Sequence, residues 1–448
     1  TILSVISLVS YVLTKVAVTV YAGGLVFQQV FGIKELWGID FFWIAAIGLV
    51  VLTALYTIFG GMKSVLYTSV LQTPILLLGS LIILVLGFKE LGGWDEMMRV
   101  CGAVTVNDYG DTMTNLIRSN DDANFPWLGA LIGSAIIGFW YWCTDQFIVQ
   151  RVLSGKNEME ARRGTIFGAY LKLLPVFLFL IPGMIAFALH QKYIGAGGEG
   201  FLPMLANGTA NADAAFPTLV AKLLPAGVKG LVVCGILAAL MSSLASLFNS
   251  SAMLFTIDFY KRFKPETPEK KLVGIGQIAT IVIVVLGILW IPIMRSVGDV
   301  LYTYLQDVQS VLAPGIAAAF LLGICWKRTS AQGGMWGLIS GMVIGLTRLG
   351  AKVYYSNAGE VADSTFKYLF YDMNWLFFCG WMFLFCIIVV IVVSLATEAP
   401  TAEKIQGLVF GTATKEQKAA TRASWNHWDI IHTVIILAIT AAFYWYFW

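Results

Sequence analysis

The sequence predicts an all-α protein that crosses a membrane many times. Of its 448 residues, 58% are hydrophobic and 12% are charged, whereas soluble domains average about 25% charged residues. The mean hydropathy is +0.79, and eleven apolar runs are each close to the ~20 residues that a helix needs to cross a bilayer. We therefore predict a single polytopic transmembrane unit comprising residues 1–448.

The predicted spans follow one another with mostly short connections. In order they lie at about 3–28, 39–59, 65–87, 127–149, 165–190, 229–257, 272–294, 303–325, 333–350, 373–396 and 429–447. Two longer segments, 88–126 and 191–228, are rich in Gly, Asp and Asn, which is typical of solvated loops.

Lysine and arginine predict the orientation of these spans. Sixteen basic residues fall in one alternating set of connections, and its short loops at 150–164 and 258–271 are the most basic. The opposite set holds eleven, spread through longer loops. Since cytoplasmic loops carry the excess of basic residues, the chain is expected to start in the cytoplasm and to end outside. The expected location is the plasma (inner) membrane.

Composition also disfavours several function classes. A net charge of +3 gives no sign of nucleic-acid binding. The six cysteines show no C-x-x-C pairing, and the three histidines are scattered, so neither a disulfide framework nor a zinc site is indicated. A membrane-embedded enzyme ranks last among the possible functions, because no histidine lies within the polar clusters of the spans.

A line of small and hydroxyl residues interrupts the span at 229–257. Its members are Ala239, Ser242, Ser243, Ser246 and Ser250, which fall at i, i+3, i+4, i+7 and i+11 and so share one face of a helix. Small residues allow close packing of membrane helices, and spacing alone favours that interpretation. The alternative is a site for a hard cation such as sodium, which prefers oxygen ligands.

The span at 127–149 carries the features of a discontinuous helix. Three glycines precede a polar cluster of Thr144, Asp145 and Gln146, and Tyr141 and Trp142 lie between them. Interrupted membrane helices bind substrate or ion through freed backbone groups. An interfacial aromatic belt is the alternative, although these rings lie deep in the span.

Three further polar side chains lie within apolar runs, where they are costly and tend to face the interior of the bundle. Lys172 either extends its ammonium to the membrane surface or directs it inward as a hydrogen-bond donor to hydroxyl or carboxylate groups. Gln306 offers both a donor and an acceptor, which suits a polyol, although it could equally bridge two helices. Lys15 is either part of a structural charge pair or functional. Aromatic faces, an amide and an ammonium together suit a sugar pocket.

Four segments carry a resemblance to a known family: GGMKSVLYTSVLQ (60–72), GFWYWCTDQFIVQRVL (138–153), LAALMSSLASLFNSSAMLFTIDFY (237–260) and YLQDVQSVLAPGIAAAFLLGICWKR (304–328). The chain resembles the sodium–solute symporter family, in particular its sodium/glucose cotransporter branch. The resemblance implies a leucine-transporter-like fold of two inverted five-helix repeats. The implied parts are three helices of repeat one at 1–87, an external loop at 88–126, repeat two at 127–325 and three flanking helices within 326–448.

The resemblance also implies roles for particular residues. Ala239, Ser242 and Ser243 match half of a sodium site. Lys172 and Gln306 match sugar-contacting positions, Tyr141 matches the aromatic residue that closes the sugar site towards the cytoplasm, and Trp142 matches its neighbour. Sodium is the implied coupling ion, with a small-molecule sugar and the lipid bilayer as the other partners.

Two departures from the family pattern are visible. The first two helices of repeat one are expected to be absent, and in the family the first of these supplies further sodium and sugar contacts. The family pattern Thr-Asp is here Thr68-Ser69, which weakens the expectation of a second sodium, for which Ser246 keeps a hydroxyl.

The function expected from the sequence is sodium-coupled import of a hexose of the glucose or galactose type. One alternative keeps the fold and changes the cargo to myo-inositol, an organic anion, a vitamin or an amino acid. Another is a sensor or channel-like relative that binds sugar without concentrating it.

Overall fold

The structure is a computed structural model that describes residues 2–205, 208–297, 300–357 and 362–447. Within these ranges only the backbone is described at 56, 58–65, 68, 71 and 294–297. The described chain is built of helices and one antiparallel hairpin, in which Glu35 pairs with Asp40. This architecture confirms the predicted all-α class.

The first part of the chain leads from the first span to the loop before residue 127. Its elements are α1 (Ile2–Ser10), a π-helical segment (Tyr11–Val16), α2 (Ala17–Phe31), β1 (Glu35–Leu36), β2 (Ile39–Asp40), α3 (Phe41–Leu91) and α4 (Trp94–Gly102). Helix α2 ends at Gly32, whose φ of 67° is the left-handed conformation that glycine adopts without strain.

Helix α3 has 51 residues, and at 1.5 Å per residue a straight helix of that length would measure about 76 Å. It does not run straight across the molecule. A Cβ on Gly23 would meet both Leu49 of α3 and Leu240, whereas Gly235, one turn and a half from Leu240, lies against Ile75. The halves Phe41–Leu55 and Gln72–Leu91 therefore lie side by side, as expected for the two spans predicted at 39–59 and 65–87.

The middle of the chain contains the interrupted helices. Its elements are α5 (Trp127–Phe139), a π-helical turn (Trp140–Thr144), α6 (Gln146–Leu153), α7 (Glu158–Pro175), a π-helical turn (Val176–Leu180), α8 (Ile181–Gly195), a 3-10 turn (Ala212–Ala214), α9 (Ala215–Leu223), α10 (Ala226–Met253), a π-helical segment (Leu254–Tyr260) and α11 (Lys261–Phe263).

The last part of the chain completes the bundle. Its elements are α12 (Glu269–Val297), α13 (Leu301–Cys325), α14 (Ala331–Asn357), α15 (Thr365–Lys367), a π-helical turn (Tyr368–Asp372), α16 (Trp375–Ala396), α17 (Ala402–Ile405), α18 (Lys415–Ala423) and α19 (His427–Tyr446).

Nine helices within the described residues are long and apolar enough to cross a membrane, and the chain is a multi-pass membrane protein. Phe41–Leu55 is a shorter apolar helix beside them.

Close helix approach positions α13 among its neighbours. Gly315 of α13 lies against Gly341 of α14, and a Cβ on Gly345 would collide with the carbonyl oxygen of Val311. On the other side, a Cβ on Gly133 of α5 would lie 2.8 Å from the carbonyl oxygen of Leu376. Glycine at such contacts lets membrane helices pack backbone to backbone, and it places α5 and α13 firmly against α16 and α14.

Candidate functional site

The break predicted in the span at 127–149 lies at Asp145. Helix α5 passes into the π-helical turn, the backbone becomes extended at Asp145 with φ −77° and ψ 118°, and α6 starts at Gln146. The Asp145 carboxylate accepts a hydrogen bond from the backbone N–H of Phe147 at 3.1 Å and so caps α6. An interruption of this kind at membrane depth is tolerated where it is buried in protein or faces a cavity.

Two side chains of the first span hold the Asp145 carboxylate. Lys15 Nζ forms an ion pair with Oδ2, and the Tyr11 hydroxyl donates to Oδ1 at 2.8 Å. The side chains of Lys15 and Asp145 are 9% and 2% exposed. Lys15 is therefore an inward-facing charge whose partner belongs to the broken helix. The sequence alone left that possibility open.

The structure brings three of the predicted substrate residues together. Lys172 Nζ lies 5.5 Å from the centroid of the Trp142 ring, and the rings of Tyr141 and Trp142 meet edge to face at 5.2 Å. Lys172 and Trp142 are exposed and Tyr141 is half-buried. The ammonium, two aromatic faces and the break at Asp145 thus form one cluster, which we call the aromatic–lysine cluster (Tyr141, Trp142 and Lys172).

Gln306 lies apart from that cluster on α13. Its side chain is half-buried, and Nε2 donates a hydrogen bond to the Tyr302 hydroxyl at 2.9 Å, one turn earlier. Tyr302 lines a cavity of about 1020 Å³ that also includes Ser134 and Ala135 of α5. Gln306 therefore approaches the broken helix on the side of α5.

The three residues of the predicted sodium site share α10, which packs along α3. Ser242 is buried, and Ala239 and Ser243 are half-buried. The hydroxyl oxygens of Ser242 and Ser69 lie 2.6 Å apart. Ser69 is the residue that replaces the aspartate of the family pattern, so this departure directly contacts the predicted sodium ligand. The side chain of Thr68 lies outside the described residues.

Ser246, the weak candidate for a second sodium, is surrounded by donors. The guanidinium of Arg151 donates to its hydroxyl oxygen, and Gln150 Nε2 donates to its carbonyl oxygen at 3.1 Å. A cation already lies against the hydroxyl, and a second cation there would be repelled. This arrangement opposes the second-sodium hypothesis in the observed conformation. Ser250 donates to the same carbonyl at 2.9 Å, which agrees with a packing role.

The network at Ser246 was not predicted from the sequence. Asn249 Nδ2 donates to Gln150 Oε1 at 3.2 Å, so Gln150 and Arg151 of α6 connect to α10 at several points. Gln150 and Asn249 also line a cavity of about 810 Å³, on the opposite side of the break from the cavity at Tyr302. Two polar residues five and six positions beyond the predicted break, Gln150 and Arg151, were the available sequence signal.

A second unpredicted network lies next to Gln306. The buried Asp307 carboxylate is 2.5 Å from Lys352 Nζ and 3.6 Å from the fully buried guanidinium of Arg348. Arg348 also donates to the carbonyl oxygens of Met373 and Leu369, at 2.6 Å and 3.2 Å. These contacts fix the N-terminal part of α13 to α14 and to the turn before α16.

The model of the sodium:solute symporter family matches residues 1–341. The chain belongs to this family. Sodium, the coupling ion expected from the sequence, is the ion for which the family is named, and the predicted resemblance is confirmed.

Individual relatives support the same assignment. The chain is 34% identical to a sodium/mannose cotransporter of Bos taurus over 99% of its own length and 77% of the relative. It is 35% identical to sodium/myo-inositol cotransporter 2 of Homo sapiens, covering 92% of the chain and 62% of the relative. Sodium/glucose cotransporter 1 of Ovis aries is 36% identical over 88% of the chain and 61% of the relative. The chain thus spans about three fifths of the length of several relatives.

A solved structure extends the comparison to the fold. The substrate-bound, outward-open structure of a Na⁺-coupled sialic acid symporter matches with a TM-score of 0.63 and 20% identity, over 89% of this chain and 76% of that one. The leucine-transporter-like fold expected for this chain is confirmed by that likeness.

Proposed function

We propose that this protein is a sodium-coupled symporter that imports a hexose of the glucose or galactose type by alternating access. The observation that carries the proposal is the aromatic–lysine cluster at the break between α5 and α6, close to α10 with its oxygen-bearing face. A cavity of about 1020 Å³ lies along α5 before the break, and one of about 810 Å³ lies along α6 after it. A solute held at the break could be reached from either side in turn.

The chemistry of the cluster suits a neutral polyol. The C–H faces of a pyranose pack against aromatic rings such as those of Tyr141 and Trp142, while its hydroxyls need paired donors and acceptors. The Lys172 ammonium supplies hydrogen-bond donors, and the Gln306 amide supplies donors and an acceptor. In this proposal Tyr141 closes the sugar site towards the cytoplasm, and Gln306 contacts the sugar when α13 and α5 approach each other.

The proposed sodium site uses neutral oxygens of α10. Ala239 provides its carbonyl oxygen, and Ser242 and Ser243 provide hydroxyls. Oxygen ligands suit a hard cation. The contact between Ser69 and Ser242 supports the proposal, because it fixes one hydroxyl on the face of α10 that would bind the ion.

Sodium entry can drive uptake by a known amount of free energy. A membrane potential of 100 mV contributes about 2.3 kcal/mol per charge, and a tenfold sodium gradient adds about 1.4 kcal/mol. One sodium ion per sugar would therefore support an accumulation of several hundredfold. Coupling requires that sodium bind better to the conformation that also binds sugar from outside.

The relatives favour a second candidate substrate. Mannose, glucose and myo-inositol, the solutes in the names of the three relatives above, are all six-carbon polyols. A cyclic polyol such as myo-inositol presents hydroxyls to Lys172 and Gln306 as a hexose does, and it remains the alternative. An organic anion, an amino acid or non-concentrating sensing has less support from the cluster.

We further propose that the chain lies in the plasma (inner) membrane with its first residue in the cytoplasm and its last outside. The basic connections support this orientation, since α11 and the start of α12 alone carry Lys261, Arg262, Lys270 and Lys271.

Uptake by the protein in proteoliposomes tests the proposal, with any sequence that its gene encodes on either side included. Labelled glucose, galactose, mannose, myo-inositol and an organic anion are compared with sodium or choline outside. The proposal expects sodium-dependent accumulation that is greatest for a hexose. Accumulation of myo-inositol alone would support the second candidate, and a sugar-evoked sodium current without accumulation would contradict symport.

A further inference from the structure

We propose that the groove between α7 and α19, at their charged ends, binds an anionic phospholipid. We call it the α7–α19 groove and define it by Arg162, Arg163, Tyr170, Trp428 and His432. The headgroup would lie against Arg163, and an acyl chain would run along the apolar side chains on the Arg162 side of the groove.

The exposure of α19 makes lipid the natural occupant. This helix has 20 residues, and only 6% of its membrane-length window is buried inside the protein. Its described side-chain contacts with the bundle include Tyr170 against His432 and Phe177 against Phe443. Most of its surface is therefore left uncovered by the described residues, which leaves room for lipid.

The first part of the groove is a hollow of about 420 Å³ whose lining includes Arg163, Tyr170 and His432. The Tyr170 hydroxyl lies 3.0 Å from His432 Nδ1. Arg163 Nε is 3.9 Å from Asp429 Oδ1, and half of the arginine side chain is exposed. An exposed guanidinium beside a hydroxyl and an indole ring is a suitable receptor for a phosphate at a membrane interface.

The second part of the groove is an apolar hollow of about 640 Å³ on the other side of the α7–α19 contact. Arg162 lies in its lining and donates to the Ser424 hydroxyl at 3.2 Å. Ile166, Ile430 and Val434 make up much of the remaining wall. Ile166 and Asp429 line both hollows. One lipid molecule can therefore place its headgroup in the first hollow and an acyl chain in the second.

Charge selects an anionic lipid over a zwitterionic one. Residues 150–164 and 415–432 together hold seven basic and four acidic side chains. One of the acids, Asp429, accepts a hydrogen bond from the Asn426 backbone at 2.8 Å and so caps α19. Basic pockets between membrane helices attract anionic headgroups, and in the orientation proposed above this end faces the cytoplasm.

Native mass spectrometry and thermal unfolding of the purified protein test this proposal. The probes are phosphatidylglycerol, phosphatidylcholine and water-soluble glycerol phosphate. We expect phosphatidylglycerol to remain bound and to raise the Tm, and the other two to do neither. The double variant Arg162→Ala/Arg163→Ala should bind phosphatidylglycerol about tenfold more weakly, since charge-assisted contacts to the phosphate are lost.

Two further variants keep the result interpretable. Lys270→Ala/Lys271→Ala removes the same charge from the exposed start of α12 and should leave binding unchanged. Tyr170→Phe keeps both arginines and should weaken binding severalfold. Equal losses in both double variants, equal binding of phosphatidylcholine, stabilisation by glycerol phosphate, or a second copy of the chain in place of lipid would each overturn the proposal.

Discussion

The hydroxyl oxygens of Ser69 and Ser242 lie 2.6 Å apart, although the residues are 173 positions apart in the sequence. The contact joins the second half of α3 to the face of α10 that we propose for sodium. The resemblance implies an aspartate at the position of Ser69. A position expected to bear on a second sodium therefore contacts a proposed ligand of the first.

Ser69→Ala should weaken sodium binding without abolishing it. Loss of one hydrogen bond costs about 1 kcal/mol, so the sodium concentration for half-maximal uptake should rise about fivefold. Thr73→Ala is the matched control, because among the described residues the Thr73 hydroxyl donates within α3, to the carbonyl of Ser69. An unchanged sodium requirement in Ser69→Ala would show that the Ser69–Ser242 contact does not affect sodium binding.

Lys15→Met and Asp145→Asn should each destabilise the protein strongly. Either change leaves a buried charge without its partner, at a cost of roughly 3–5 kcal/mol. The double variant removes both charges and should recover much of the loss. A double-mutant cycle on thermal unfolding measures the coupling. If the two single effects simply add, the ion pair does not connect the first span to the broken helix.

Gln306→Glu should change sugar affinity or sugar choice. The substitution replaces the two N–H donors of the amide with a negatively charged carboxylate that can only accept hydrogen bonds. The side chain keeps its length and its position on α13. The apparent affinities for glucose, galactose and myo-inositol are compared at saturating sodium. Tyr302→Phe removes the hydroxyl that orients the Gln306 side chain but keeps the Gln306 amide. It therefore shows how much of the effect comes from lost orientation and how much from the lost amide. Identical affinities in Gln306→Glu and the unmodified protein would remove Gln306 from the site.

Ser246→Ala should leave the ratio of sodium to sugar transported unchanged. Its hydroxyl accepts from the Arg151 guanidinium, which repels a second cation. The flux ratio is obtained from labelled sodium and sugar in the same vesicles. A fall in that ratio would revive the second-sodium hypothesis.

Asp213 connects the 3-10 turn before α9 to the start of α13, because its carboxylate oxygens accept from the Leu301 N–H at 3.1 and 3.2 Å. Burial raises the pKa of the Asp213 carboxyl, and the Leu301 hydrogen bond partly opposes that rise. A raised pKa in the folded state means that protonation favours folding, and this contribution is lost as pH rises through the folded pKa.

Asp213→Asn imitates the protonated form and keeps an acceptor. It should therefore be at least as stable as the unmodified protein at neutral pH, and the difference should shrink in acid. Asp213→Ala loses the cap and should cost about 1 kcal/mol. Thermal unfolding at several pH values measures both variants, and an Asn variant less stable than the Ala variant would contradict this account.

Local patterns predicted much of the fold. Hydropathy predicted helices at the right places because lipid demands helices, and glycines before a polar cluster predicted the break at Asp145. The partners of the polar residues were not predictable. Lys15 finds Asp145 at a separation of 130 residues, and the Arg151–Ser246 contact joins two helices whose rotation the sequence does not determine. A periodic pattern gives the face of a helix, but only packing decides which other face it meets.

The most direct test of the central claim is the sodium dependence of hexose uptake in Ser243→Ala. The unmodified protein should accumulate hexose only with sodium outside. Ser243→Ala should need far more sodium for the same rate, with hexose affinity at saturating sodium little changed, because a proposed ligand of the ion is gone. Hexose uptake that is independent of sodium and unaltered in Ser243→Ala would contradict the assignment of α10 as the sodium-binding helix.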